Sequence, residues 1–440
     1  AIMKMRIYNQ LFVLMTAMMV FGNISCSKEI EYDEDKDKEQ WRRVLPVDSI
    51  DQSHAWQLSE SHSYQFTVNA NVGAQKLEVY SADPTTSSDA EMMARAFVKD
   101  GDQVTMSVSV PSRLTTIYAA LIDKDGNYTV TRFSPIERYV DFSDPIALQQ
   151  PIKKTPSIME YTYCYEEDFP GAGDYDYNDL VMRIGLERTG QKQINIHVTL
   201  LAVGASGQIA AAIRLVGYRY QDIESVVAKD DKTLNVNVPK MSYGLIYNDD
   251  ILLEGINGNG TKGSGEAVIN VCADAHWSMD TEMETINDDF TRKKYNVKDS
   301  YSDPFDQAYA KDVNFTVTFK SEDGLNNFTH EMIDPFIMTY YLANKVETHL
   351  EEFKTSQILQ EYDATVFKEF KKLPWALRIP TSYFHYPLEG NKIGFRKHAK
   401  DGTASMDGAY RIEGHSFGEW AENRKNCLDW YLYPIENEVW

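Results

Sequence analysis

Tyr64-Gln65-Phe66-Thr67-Val68-Asn69-Ala70-Asn71-Val72 places an apolar side chain at every second position. Side chains on an extended strand point alternately to opposite faces, so a period of two marks a strand with one face on a core. The alternation returns in Val104, Met106, Val108 and Val110, and Leu77 with Val79 adds a shorter piece. Asp123-Lys124-Asp125-Gly126-Asn127 is a hairpin turn between strands at 117–122 and 128–133. Ser88 and Glu91 have capping-box spacing, which predicts one short helix over 90–97. Residues 51–150 therefore read as an antiparallel β-sandwich, ended by Asp144-Pro145 and the prolines at 151 and 156.

The remainder, 151–440, reads as a second and larger β-domain. Ile194, Ile196, Val198 and Leu200 alternate with polar residues, as do Leu234, Val236 and Val238, then Ala267, Ile269 and Val271, then Phe315, Val317 and Phe319. The polar stretch 280–312 reads as an extended insertion, and helices are expected only at 344–353 and 417–424. The fold class is thus mainly β with a few short helices. No fixed-period repeat is visible, which argues against a solenoid or propeller.

Composition limits the function. Of 440 residues, 66 are Asp or Glu and 44 are Lys or Arg, a formal charge of −22, while 43% are apolar. The apolar fraction supplies a core and excludes wholesale disorder. The charge argues against a nucleic-acid reader, which needs a basic stripe on the phosphate backbone. Four cysteines are too few for a disulfide scaffold of this size, and no pairing of Cys164, Cys272 and Cys427 can be read.

The first 26 residues carry an address. Lys4 and Arg6 precede an apolar run at 11–21 broken only by Thr16, and Asn23-Ile24-Ser25-Cys26 follows. The run is too short for a membrane-spanning helix and reads as a secretory leader over 1–25. It resembles a bacterial lipoprotein signal, which implies cleavage before Cys26 and acylation of that residue. Residues 26–50, opening Ser27-Lys28-Glu29-Ile30-Glu31-Tyr32-Asp33-Glu34-Asp35, form an acidic tether resembling that of surface-exposed Bacteroidetes lipoproteins. The expected location is the outer membrane, lipid-anchored and facing the surroundings.

Three further motifs were weighed for chemistry. Gly258, Gly260 and Gly263 spell a GxGxxG, but the residues after it alternate as a strand, whereas a dinucleotide site needs a helix there. Gly414-His415-Ser416-Phe417-Gly418 spells a GxSxG, yet no histidine follows Ser416, and Ser416 with Glu419 has helix-capping spacing instead. The strongest pattern is Gly173-Asp174-Tyr175-Asp176-Tyr177-Asn178-Asp179-Leu180-Val181, with Glu166, Glu167 and Asp168 just upstream. So many carboxylates in one short loop repel one another unless a cation neutralises them. All-oxygen ligands on an irregular loop favour calcium over magnesium. Asp174, Asp176, Asn178 and Asp179 are the candidate ligands, with Glu166 reaching in. Asp-x-Asp-x-Asn mimics the start of an EF-hand loop, although Asp179 stands at the turn glycine and Gly185 at the bidentate acid.

This same stretch resembles the LruC domain of bacterial surface lipoproteins. The C-terminal runs Pro374-Trp375-Ala376-Leu377-Arg378-Ile379-Pro380, Tyr386-Pro387-Leu388-Glu389, Phe417-Gly418-Glu419-Trp420-Ala421 and Asp429-Trp430-Tyr431 agree with it, so the likeness covers 157–440. The resemblance implies no catalytic role. It implies an accessory lipoprotein of a SusC/SusD-type, TonB-dependent importer and its lid lipoprotein, taking up glycans or peptides. The rival readings are an adhesin or pilus-like component binding host glycan or matrix, and a hydrolase using paired carboxylates.

Overall fold

In the computed structural model, residues 50–69, 71–169, 173–205, 207–228, 251–255, 261–279, 310–341, 344–350, 353, 374–398 and 404–440 are described. The leader with Cys26, the tether, the strand at 234–238, Gly258 and Gly260 of the glycine motif, and residues 280–309 lie outside them. The chain is mainly β, and no described helix is long and apolar enough to cross a membrane.

The first strands are β1 (Ser59–Thr67), β2 (Ala74–Tyr80), β3 (Glu91–Phe97), β4 (Gln103–Pro111), β5 (Ile117–Asp123), β6 (Asn127–Phe133), β7 (Tyr139–Asp141), β8 (Ala147–Pro151) and β9 (Ser157–Ile158). They make a three-stranded sheet, β4-β1-β7, and a six-stranded one, β8-β6-β5-β2-β3-β9. The alternating residues Tyr64, Phe66, Met106 and Val108 of one sheet bury against Leu77, Val79, Ala119 and Leu121 of the other. Two inward faces sharing one core make this a sandwich.

The larger part adds β10 (Glu160–Tyr165), β11 (Leu180–Gly190), β12 (Gln193–Ala202), β13 (Ala210–Arg219), β14 (Ile223–Ala228), β15 (Leu252–Glu254), β16 (Glu266–Cys272), β17 (Lys311–Asp312), β18 (Phe315–Phe319), β19 (Ile333–Tyr341), β20 (Asn344–Thr348) and β21 (Ala376–Ile379). Two more strands, β22 (Phe395–His398) and β23 (Ala404–Asp407), and two short helices, α1 (Ala275–Met279) and α2 (Phe417–Glu422), follow from the same chain. One sheet runs β14-β18-β12-β11-β10-β21 with β17 on β12, and another runs β15-β16-β13-β19-β20. Their facing side chains, such as Ile184, Ile196 and Val198 against Ile213, Ile269 and Ile337, form the main core.

Two expected helices are strands. Residues 91–97 pair with β2 (Leu77↔Ala96, Val79↔Ala94), and the Glu91 N–H donates to Ser81 Oγ at 3.1 Å. The Ser88 hydroxyl goes to Asp89 instead of capping anything. Glu-Met-Met-Ala-Arg-Ala favours a helix locally, but β2 along its length and β9 at its start pair with its backbone, and the sheet buries Met92 and Ala96. Likewise 344–348 pairs with β19 rather than coiling. The helix expected at 417–424 exists as α2, where Ser416 Oγ accepts from the Glu419 N–H at 3.2 Å. Ser416 is thus a cap. The described end of the glycine motif, Gly263, is followed by the strand β16, the antiparallel neighbour of β15, and not by a helix.

The start of the described chain is fastened to its end. The Asp51 N–H donates to the Ala421 carbonyl at 3.0 Å, and the Arg378 N–H donates to the Trp56 carbonyl at 3.1 Å. Trp56, Phe417, Trp420 and Trp430 form a buried aromatic cluster, with Trp56–Trp420 centroids 5.6 Å apart and Trp420–Trp430 5.7 Å. His54 stacks on Trp56, accepts the Trp56 N–H on Nδ1 at 3.1 Å and places Nε2 3.1 Å from the Trp420 carbonyl. Both nitrogens are satisfied only in the neutral ring, and burial holds its pKa down at about 4, with Asp51 and Arg424 the nearby charges. A base whose folded pKa is depressed contributes stability that is whole above 6.5 and lost as pH falls towards 4. His54→Gln is expected to flatten the acid limb of stability between pH 6.5 and 4, worth about 3 kcal/mol in the native protein. Urea unfolding at both pH values checks this; an unchanged slope overturns it.

Candidate metal centre

The acidic loop is made by topology. β10 and β11 are antiparallel with Tyr165 opposite Leu180, so Glu166 and Asp179 leave the same end of the sheet side by side. Everything between them must close over a short span.

Glu166 is the centre of that closure. It is fully buried, its Oε1 accepts from the Tyr177 N–H at 2.7 Å, and its Oε2 accepts from the Tyr175 N–H at 3.2 Å. To aim both amides at one carboxylate, Tyr175 and Tyr177 take left-handed φ values of 61° and 54°. Bulky residues rarely adopt that region, at a cost of roughly 1–3 kcal/mol each. Gly173 is a packing requirement, because a Cβ there would stand 1.9 Å from Glu166 Oε2.

Glu166, Asp174 and Asp176 each offer an oxygen, and these oxygens lie within 4.8 Å of one another. Asp176 is buried and accepts from the Asn178 N–H at 3.1 Å and the Gly390 N–H at 2.9 Å, whereas Asp174 is exposed. The other two candidates have different work. Asp179 Oδ2 accepts from the Glu167 N–H at 2.7 Å, which clips the two ends of the loop together. Asn178 Nδ2 donates to the Pro387 carbonyl at 3.0 Å. Thus three of the five sequence candidates converge on one point, and two fasten the loop around it.

The electrostatics are one-sided. Burial, then the charges of Asp179, Asp176 and Asp174, pushes Glu166 far above the usual carboxylate range. Burial and then Asp174 push Asp176 up to about 8, and burial and then Glu167 raise Asp179 strongly. No Lys or Arg is among the groups that act most strongly on these three. Two buried carboxylates and one exposed one, all oxygen donors, suit a hard cation in donor set and in charge.

What sequence reasoning missed is the lid on this loop. The Ile393 N–H donates to the Tyr175 carbonyl at 2.8 Å, the Tyr177 hydroxyl donates to the Pro374 carbonyl at 2.6 Å, and the Glu166 N–H donates to the Trp375 carbonyl at 2.9 Å. With Pro387 and Gly390, a segment some two hundred residues downstream closes the site. Only the Pro374-Trp375 and Tyr386-Pro387 runs hinted at it, and nothing local links them to residue 176.

The thiols are quiet. Cys164, Cys272 and Cys427 are all free. Burial raises Cys164 strongly and pushes Cys272 up to about 12 and Cys427 up to about 11, so none is held as a reactive thiolate.

Residues 192–400 match the domain of unknown function DUF4842, which leaves the acidic loop outside the matched stretch and includes most of its lid. A crystal structure of a candidate lipoprotein from Bacteroides ovatus resembles the chain with a TM-score of 0.48 and 13% identity, covering 83% of this chain and 99% of that one. No curated protein matches the chain.

Proposed function

We propose that this chain is a non-catalytic, lipid-anchored lipoprotein of the outer-membrane surface, stabilised by calcium and working beside a SusC/SusD-type, TonB-dependent importer of glycans or peptides. The observation that carries the anchoring is the leader of Lys4, Arg6 and the 11–21 apolar run ending at Cys26. One acyl chain holds a protein only reversibly, and two or three hold it firmly, so acylation of Cys26 decides whether it stays on the membrane. The charged tether at 26–50 then sets the folded body off the surface.

Glu166, Asp174 and Asp176 would hold the calcium ion, and the ion would offset the repulsion among their carboxylates. Around it the chain does the rest: the Tyr175 and Tyr177 amides orient Glu166, and Asp176 carries the Gly390 amide of the lid. The arrangement supports a structural role, since its ligands are locked among backbone groups. The adhesin reading keeps one supporting observation, the 78% and 73% exposure of Tyr139 and Tyr383.

Cys26→Ala is expected to release the protein from membranes, and mild-detergent capture of the native protein is expected to bring a transporter and its lid lipoprotein with it. Membrane retention of the variant would overturn the anchor. Recovery of the protein alone, with binding to host matrix, would replace the importer by the adhesin.

A further inference from the structure

Two turns near the C-terminus meet at the surface. His415, in the turn before α2, stacks on Tyr433, with centroids 3.9 Å apart and planes 28° apart. His415 Nδ1 is held by both oxygens of Asp429 at 3.0 Å, which fixes the ring and leaves Nε2 with no protein partner among the described residues. The Tyr433 hydroxyl likewise has none among them, and the Tyr433 residue is 40% exposed. Ile412 and Leu432, on the same two turns, are 39% and 50% exposed. In the same 430–432 turn as Leu432, Trp430 is fully buried against Tyr410 and Phe417, at 4.9 and 5.1 Å.

The combination is specific. Ile412, Leu432 and Tyr433 are exposed beside the half-buried His415, and the ring stack and the Asp429 clamp hold the aromatic pair, so little order is lost when something covers it. Interleaved with them are a ring nitrogen, a phenol and a carboxylate, each with hydrogen-bonding capacity facing solvent. A purely apolar partner would bury those groups unpaired, at a cost of about 1–3 kcal/mol each. A sugar ring meets both needs, since its C–H face lies on an aromatic plane while its hydroxyls donate and accept at the edge.

We infer that Tyr433, His415 and Asp429, flanked by Ile412 and Leu432, form a saccharide-binding platform for neutral oligosaccharides. This deepens the uptake reading by choosing glycan over peptide, but the platform belongs to the folded body and needs no transporter.

The test uses the purified protein with malto-, cello-, xylo-, manno- and chito-oligosaccharides at millimolar concentration, and short peptides as controls, read by saturation-transfer NMR and titration. At least one oligosaccharide is expected to bind. Tyr433→Ala is expected to weaken it about tenfold, the size of one stacking contact, while Tyr433→Phe retains most of the affinity. Asp429→Asn is expected to weaken it several-fold by loosening His415. Equal unfolding midpoints show that these surface variants are folded. Binding of no saccharide, of peptides instead, or of a saccharide with unchanged affinity in Tyr433→Ala overturns the platform. None of these outcomes bears on transporter capture, so the two readings fail separately.

Discussion

Calcium in excess is expected to raise the unfolding midpoint at pH 8 by roughly 5 °C and to have a much smaller effect at pH 5. The reason lies in the metal-free loop. Burial and Asp174 push Asp176 up to about 8, against a value near 3.8 for an unperturbed aspartate. An acid whose folded pKa is raised contributes stability when protonated; that contribution is whole below about 4 and disappears as pH rises through 8. Without an ion, the loop is therefore least comfortable at neutral and alkaline pH, where its carboxylates are forced to ionise beside one another. Protons and calcium compete for the same oxygens, so the gain from calcium grows as protons leave. An ion binding only the native state at a hundred times its Kd contributes about 2.7 kcal/mol. Asp174→Asn with Asp176→Asn removes two of the three converging charges and should abolish both the calcium response and its pH dependence. A midpoint indifferent to calcium at pH 8, or a double variant that responds like the native protein, would remove the ion from this site.

Arg378→Ala is expected to lower stability by about 3–5 kcal/mol, the usual result of stranding a buried charge. Arg378 is fully buried, and its guanidinium donates to Glu331 Oε1 at 2.9 Å, Ser59 Oγ at 3.2 Å and the His330 carbonyl at 3.1 Å. Glu331 also accepts from the Ser109 hydroxyl, and the His330 N–H donates to Ser109 Oγ at 3.2 Å. One side chain on β21 thereby joins β1 and β4 of the first sandwich to the turn before β19. Despite burial, Arg378 holds Glu331 down at about 2, so this pair contributes stability that is whole above about 4.5 and lost only as pH falls through 2. In Arg378→Ala, Glu331 keeps its burial and loses its counter-ion. Arg378→Met with Glu331→Gln should recover much of the loss, because it removes both charges together. Urea unfolding measures both, and limited proteolysis should find the joint near Ser59 and Ser109 opened in the single variant alone. A single variant within 1 kcal/mol of the native protein would show that the joint is held elsewhere.

Much of this molecule is local. Period-two alternation over 64–72 and 104–110 points to the strands at 59–67 and 103–111, although the first already ends at Thr67, Asp-Lys-Asp-Gly-Asn names the hairpin between β5 and β6, and Ser416 with Glu419 names the cap of α2. In each, the residues that carry the signal are the residues that make the contact. The acidity of the 166–179 loop is equally local, because repulsion among neighbouring carboxylates needs no fold to exist.

Other features were decided at a distance. Residues 91–97 and 344–348 read as helices by themselves, and they become strands because β2 and β19 pair with their backbones. Spacing alone ranks Asp174, Asp176, Asn178 and Asp179 as equals. The β10–β11 pairing brings the buried Glu166 and Asp176 together with the exposed Asp174, and gives Asp179 and Asn178 to backbone groups. Nothing near residue 176 announces Pro387, Gly390 or Ile393, and nothing near Arg378 announces Ser59. Side-chain chemistry and strand period are properties of adjacent residues and can be read from their order. Burial and the choice of partner arise when chain segments hundreds of residues apart are brought within hydrogen-bonding reach, and only the folded chain does that.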